Sequence, residues 1–237
     1  GLGYIGLPTA LTMANAGFTV VGTDYNKGLV ETLNAGKVTF EEKGLVELFN
    51  SAVSTGNISF SNDYQEAEVY IVSVPTPYDK FSKKIDASYV INAVKEVLNV
   101  CKDESIIVIE STISPGTIEK YIKPLVNKNV YLAHAPERII PGNMVYELKH
   151  NSRTIGADDM IVGEKIANIY RKTTDGEVVV TTIKNAEMTK VVENTYRAVN
   201  IALANELAKI CSHDNMNVYE IIKICNMHPR VNILNPG

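Results

Sequence analysis

Short apolar, β-branched runs alternate along the chain with longer segments whose apolar positions recur every three or four residues. This is the pattern of strands and crossover helices in a parallel α/β sheet. It predicts strands over 19–23, 58–60, 69–74, 105–110, 130–134 and 178–182. Helices are predicted over 4–15, 27–35, 45–54, 87–100, 116–126 and 159–172. Pro75, Pro77, Pro115, Pro136 and Pro141 mostly follow predicted strands. That places their loops at the carboxyl edge of the sheet, where ligands of open α/β sheets bind. Beyond 182 the pattern changes. Residues 184–212 contain no Gly or Pro and predict one long helix; a polar turn at His213-Asp214-Asn215 and a helix over 218–226 follow. A first domain over 1–180 and an incomplete helical one over 181–237 are expected, the chain stopping on the turn residues Asn235-Pro236-Gly237.

Length and charge narrow the function classes. The 237 residues carry 23 Lys plus Arg against 27 Asp plus Glu, a net charge of -4. Generalised binding to nucleic acid or an anionic membrane is therefore disfavoured, although a few concentrated cations can still hold an anionic ligand. Cys101, Cys211 and Cys225 have no C-x-x-C spacing and are odd in number, which argues against a disulfide framework or structural zinc and for a reducing cytoplasm. Each reads as a small buried hydrophobe. The four histidines lack metal-ligand spacing, so no metal is expected. No apolar stretch approaches the roughly 18 residues of a membrane span, and no secretion signal opens the chain. The chain starts on Gly1-Leu2-Gly3 with no initiator Met, as if inside an element.

Gly1-Leu2-Gly3-Tyr4-Ile5-Gly6 is a G-x-G-x-x-G opening a predicted helix. In a dinucleotide site the first two glycines allow a tight turn and close approach of a pyrophosphate, and the third lets the helix pack on the sheet. Asp24 ends the next predicted strand, 18 positions after Gly6. A carboxylate there accepts from ribose hydroxyls and repels a 2′-phosphate, favouring NAD over NADP. The strand that should precede the glycines is expected upstream, near the middle of a 3-2-1-4-5-6 sheet. A glycine turn without ligand, or a flavin or NADP site, are the alternatives.

On the long helix Glu187, Lys190, Asn194 and Arg197 recur at spacings of three and four, one polar stripe on a helix otherwise rich in Val, Ala, Leu and Ile. Periodicity alone favours a solvated face with a Glu–Lys pair. A strand-end Thr such as Thr112 is on its own a local backbone cap. Glu137 has an obvious partner in its neighbour Arg138, and Arg230 reads as a surface arginine.

Several ordered segments carry a resemblance: GLGYIGLPTA at 1–10, VPTP at 74–77, ESTISPGT at 110–117, APERIIPG at 135–142, AEMTKVVENTYRAVNIALANELA at 186–208 and HPRVN at 228–232. Over essentially its whole length the chain resembles the UDP-glucose/GDP-mannose dehydrogenase family, and the PERxxPG and HPRVN segments are most similar to its UDP-N-acetyl-D-mannosamine branch. The resemblance implies a Rossmann-like doubly wound sheet followed by the start of an α-helical dimerisation domain, with a C-terminal UDP-sugar-binding domain beyond. It implies NAD, a UDP-sugar substrate and a homodimer through the long helix. Carbon 6 of the sugar passes from alcohol through aldehyde, thiohemiacetal and thioester to acid, with two hydrides delivered to NAD+. The family's nucleophilic cysteine lies in a GGHC-type segment past the N-P-G motif, beyond Gly237, so these residues alone are expected to be inactive.

Residue by residue, the resemblance assigns Gly1, Gly3, Tyr4, Ile5, Gly6, Asp24, Pro75, Thr76 and Thr112 to the cofactor. Lys190 and Asn194 become oxyanion donors beside the reacting carbon. Thr112 positions water, and Glu137 activates it as general base. Some relatives carry a second Glu where this chain has Pro141. Arg138 joins the substrate residues, and Arg230 reaches the neighbouring subunit's substrate, where a planar guanidinium suits a pyrophosphate or sugar hydroxyls. UDP-glucose 6-dehydrogenase and a non-catalytic NAD-binding dimerisation module remain as alternatives.

Overall fold

In the computed structural model, which describes Gly1 to Gly237, the alternation of strands and helices is realised from the first element onward. Helix α1 (Gly6–Asn15), β1 (Val20–Thr23), α2 (Lys27–Asn34), α3 (Leu45–Ser54) and β2 (Ile58–Ser61) come first. Next are β3 (Val69–Val72), a small hairpin of β4 (Tyr78–Asp79) and β5 (Lys84–Ile85), α4 (Ser88–Val100), β6 (Ile106–Ile109) and β7 (Tyr131–His134). The series ends with α5 (Met144–His150), β8 (Arg153–Ala157), α6 (Met160–Arg171), β9 (Val178–Thr181), α7 (Ile183–His213) and α8 (Val218–Cys225). β1 and β2 pair in parallel, and a five-stranded sheet runs β3-β6-β7-β8-β9.

β6 shows why the run Ile-Ile-Val-Ile forms a central strand. All four residues are buried, as a strand covered by helices on both faces requires. Ile107 and Ile109 join Val90, Val94 and Val97 of α4, while Ile106 and Val108 join Ile166, Ala167 and Tyr170 of α6. Successive side chains thus feed opposite cores, each contributing about 1.5–3 kcal/mol by burial. A third apolar group, Leu7, Leu11, Val30, Leu33, Phe49 and Phe60, joins α1, α2, α3 and β2.

Three departures from the sequence expectation have physical causes. The helix predicted over 116–126 is a π turn, Ile118–Ile122, running into a 3₁₀ turn, Lys123–Leu125, because Pro124 has no N–H to continue a ladder. β8 was not predicted, since Ile155 is its one large apolar side chain. β8 also runs antiparallel to β7, with His134 opposite Gly156 and Ala133 opposite Ala157. The large sheet is therefore mixed rather than parallel throughout. Helix α5 and the β4–β5 hairpin were likewise not foreseen.

The chain divides into compact units over 1–188 and 189–237. The division lies later than position 180 because the first turns of α7 pack on the sheet, burying Ile183, Ala186 and Glu187. Gly156 makes room for them: a Cβ there would lie 2.6 Å from the Ala186 Cβ and 2.9 Å from the Ile183 Cα. In the second unit the rest of α7 and α8 close around Ala204, Cys211, Val218 and Ile222. The Asn217 side chain caps α8 by accepting from the N–H groups of Tyr219 and Glu220. The final segment is tied back to α7 by the Leu234 N–H on Asn200 (2.8 Å) and the Gly237 N–H on Asn205 (2.9 Å). No helix is long and apolar enough to cross a membrane.

Candidate cofactor and substrate site

The glycine turn lies between the ends of β1 and β3. A Cβ on Gly1 would stand 2.3 Å from the Ser73 carbonyl oxygen, and one on Gly6 would stand 1.9 Å from that of Gly1. Neither position tolerates a side chain. Gly3 differs: a Cβ there meets nothing within 4 Å, so its missing side chain leaves open space in front of the turn. Behind it, α1 begins with no side-chain cap and no acidic residue in its first turn. The Leu7 N–H is spent on the Gly3 carbonyl at 3.1 Å and Pro8 has none, so the helix dipole, with the turn's remaining N–H groups, is what suits a phosphate there. Asp24, just past β1, is held by the N–H groups of Leu2 (2.7 Å, to Oδ2) and Asn26 (2.9 Å, to Oδ1). Each carboxylate oxygen keeps a lone pair for a ribose hydroxyl. These features fit NAD.

Tyr4 and Ile5 are half-buried in the turn. The Tyr4 hydroxyl donates to Glu42, which also accepts from the N–H groups of Gly142 (3.0 Å) and Met144 (3.3 Å). The Tyr4 bond and that of Gly142 hold the Glu42 carboxyl below its usual range. Glu42 thus ties the glycine turn to the Pro141-Gly142 loop. Pro75 and Thr76 lie in the loop after β3, whose Ser73 and Val74 stand beside Gly1. The Val74 N–H donates to the Ser111 hydroxyl at 2.8 Å. Ser111 therefore does the loop-tying that a strand-end hydroxyl was expected to do, and its neighbour Thr112 is half-buried.

The carboxyl ends of β3, β6 and β7 deliver Ser73, Glu110 and Glu137 to one region. The antiparallel register of β8 supplies the cation, because continuing it from His134–Gly156 sets Arg153 opposite Glu137. Arg153 Nη1 lies 3.1 Å from Glu110 Oε1, and Nη2 pairs with Glu137 Oε2. Glu110, Arg153 and Glu137 are 1%, 5% and 7% exposed. The guanidinium also sits 4.9 Å from the centre of the Tyr170 ring. Glu110 Oε2 lies 2.6 Å from the Ser73 hydroxyl and 3.2 Å from that of Thr9 in α1. Burial pushes the Glu110 carboxyl above its usual range, with Arg153 pulling the other way. His134 is fully buried, donating through Nδ1 to the Ile109 carbonyl at 2.8 Å, and burial lowers its pKa to about 4.

The ion-pair partner of Glu137 is Arg153 on β8, whereas the sequence offers its neighbour Arg138 as an alternative partner. Arg138 donates its backbone N–H to Glu137 at 2.6 Å. Its guanidinium reaches the Ser152 hydroxyl (2.9 Å) and the Thr154 hydroxyl (2.8 Å), bracing the loop against β8. The solvated face that periodicity alone offers for α7 is corrected at Glu187. Glu187 is buried and accepts from the N–H groups of Gly116 (2.6 Å) and Ile118 (3.0 Å). Lys190 is half-buried one turn on, and Asn194 and Arg197 are exposed. Lys190 and Asn194, four residues apart, share a helix face. In the second unit Arg230 is exposed, its N–H donating to His228 Nδ1 at 3.3 Å.

Sequence reasoning missed Glu110, Arg153, Ser73 and Glu42. Glu110 opened the ESTISPGT segment two residues before Thr112, whereas nothing local marked Arg153 or Glu42.

Comparison with known proteins follows the same division. Residues 1–174 match the NAD binding domain of the UDP-glucose/GDP-mannose dehydrogenase family, and residues 184–237 match its central domain. Among curated relatives, UDP-N-acetyl-D-mannosamine dehydrogenase of Methanococcus maripaludis strain S2 is 48% identical over 100% of this chain and 56% of its own length. The Escherichia coli K12 protein of that name is 38% identical over 100% of the chain and 60% of its own length. The chain thus spans less than two thirds of these relatives. Two solved structures agree in fold. The Staphylococcus aureus UDP-N-acetyl-mannosamine dehydrogenase Cap5O has a TM-score of 0.89 at 41% identity, covering 100% of this chain and 60% of that one. The Pyrococcus horikoshii enzyme has a TM-score of 0.93 at 38% identity, covering 100% and 59%. With an NAD-binding turn, a carboxyl-edge charge cluster and both family domains present in order, the chain belongs to the UDP-glucose/GDP-mannose dehydrogenase family.

Proposed function

We propose that the chain is the NAD-binding and central portion of a cytoplasmic UDP-N-acetyl-D-mannosamine 6-dehydrogenase, which oxidises the carbon-6 alcohol to the uronate. The observation that carries this reading is similarity along the whole chain to enzymes of that name, at 48% identity in one relative. In this reading the turn 1–6, Asp24 and the loops of Pro75, Thr76 and Thr112 hold NAD, which supplies the hydride acceptor. Glu137 takes the proton from the hydrolytic water, which Thr112 helps place. A carboxylate suits that work, and Arg153 fixes its orientation. Lys190 and Asn194 donate to the oxyanion formed at carbon 6. Arg138 lines the substrate loop, and Arg230 holds the nucleotide sugar from a neighbouring subunit.

The second subunit is supported by α7 itself. Val192, Tyr196, Val199, Leu203 and Ile210 are between 51% and 64% exposed. Val192 and Val199 are seven residues apart, as are Tyr196, Leu203 and Ile210, the repeat of a helix-pairing seam. Leu203→Lys in the natural full-length chain should convert dimer to monomer in sedimentation; an unchanged dimer places the interface elsewhere. The activity is tested by incubating that chain with NAD and either UDP-N-acetylmannosamine or UDP-glucose. Faster NADH formation with the first is expected. Preference for UDP-glucose would move the protein to the other branch, and no NADH with either would leave an NAD-binding dimerisation module.

A further inference from the structure

Two buried carboxylates share one buried guanidinium, and their other partners differ in kind. Glu137 Oε1 meets the Arg138 N–H and its Oε2 meets Arg153. Neither group can accept a proton, so no partner of Glu137 stabilises its acid form; Oε2 meets Arg153 as an ion pair without an aligned hydrogen bond. Glu110 Oε1 meets Arg153 and, at 3.5 Å, the Tyr170 hydroxyl. Its Oε2 faces the hydroxyls of Ser73 and Thr9, and a hydroxyl can accept as well as donate. We propose that Glu110 holds a proton on Oε2, donated to the Ser73 oxygen, so that the whole charge of Arg153 serves Glu137.

Charge balance supports this assignment. With both carboxylates ionised, the cluster would carry an uncompensated negative charge out of contact with water, and two such groups at one site do not both ionise. The groups facing Glu110 are Thr9 on α1, Ser73 after β3, Arg153 on β8, Tyr170 on α6 and, across Arg153, Glu137 after β7. Arg153 is the one cationic side chain among them. Tyr170 is neutral, its phenol pushed well above the usual range by burial and then by Glu110. Burial likewise raises Glu110 itself. Glu110 and Arg153 are then positioning residues: one stays neutral, and the other orients an anionic Glu137. Their use in catalysis rests on the base role proposed for Glu137.

The test needs no turnover. Infrared spectra of the natural full-length protein at neutral pH should contain the C=O stretch of a protonated buried carboxyl. Glu110→Gln should remove that band, and Glu137→Gln, which leaves the charge of Arg153 to Glu110 alone, should weaken it. An amide replaces a neutral acid without changing charge, so Glu110→Gln should melt no lower than the unaltered protein at neutral pH. The sign for pH follows from the raised value. Stability contributed by neutral Glu110 is complete below the unfolded carboxyl value and is lost as pH rises towards the folded one. Glu110→Gln should therefore gain on the unaltered protein as pH rises from about 4.5. A spectrum without the band, a band that survives Glu110→Gln, or a variant that unfolds at neutral pH would each overturn the assignment. Loss of turnover in Glu137→Gln speaks to the base role alone, so the two ideas fail separately.

Discussion

The two compact units carry their polar residues in opposite ways. In residues 1–188 the charged groups at the carboxyl edge are buried and partnered: Arg153 lies between Glu110 and Glu137, and Glu187 is spent on the Gly116–Ile118 turn. In residues 189–237 Asn194, Arg197 and Arg230 are exposed and an apolar seam on α7 is exposed with them. A pre-organised charge cluster keeps its geometry without ligand, because each group is fixed by partners from several strands. Exposed groups on a helix face gain that order only when something covers them. The first unit can thus hold a cofactor ready, whereas the second presents groups that, under the proposed function, act once assembled.

The contrast predicts different failures. The largest effect should come from Arg153→Met, which leaves the buried Glu137 carboxylate without its cation. About 3–5 kcal/mol of stability should be lost on denaturant unfolding, and a loss under about 1 kcal/mol would show that the cluster is no more built than a surface pair. Lys190→Ala should leave stability and NAD affinity nearly unchanged in the full-length enzyme while lowering turnover about 100- to 1000-fold. Near-normal turnover would return Lys190 to a solvated face. His134 sharpens the burial side of the comparison. Its folded pKa is depressed from 6.5 to about 4, so the stability it contributes is present above the unfolded value and lost as pH falls through that window. His134→Gln should flatten the pH 7 to pH 4 difference by up to about 3 kcal/mol, and parallel curves for the two proteins would contradict the burial. The smallest effect should be Asp24→Ala, weakening NAD by about 2 kcal/mol in calorimetry and erasing preference over NADP. Unchanged discrimination would remove Asp24 from the ribose site.

Much of this first unit was legible because its signals are local. The strand Ile106–Ile109 is a run of β-branched residues, and a glycine fingerprint followed by Asp24 needs only short-range spacing. Arg153 was invisible for a topological reason. It opens a strand with one large apolar residue, and that strand runs against the parallel pattern that the rest of the chain announces. Its partnership with Glu137 exists only through that reversed register, and Glu110 meets Thr9 across 101 positions of sequence. The solvated reading of Glu187 on α7 failed in a related way. Helical periodicity grouped Glu187 with Lys190 and Asn194 correctly on one side, but it carries no information about what packs there, so a buried anchor looked the same as a solvated acid. Pro124 was the opposite case: a visible local signal, outweighed in the sequence reading by the apolar periodicity of 116–126.

The central claim is that this chain contributes the cofactor half of a four-electron oxidation. It is tested most directly by counting NADH formed per UDP-N-acetylmannosamine consumed by the natural full-length protein. Oxidation of an alcohol to a carboxylate requires two hydrides, so the account predicts about two NADH per sugar, with no aldehyde released. One NADH per sugar with free aldehyde, or sugar left unconsumed while NAD binds normally, would contradict it.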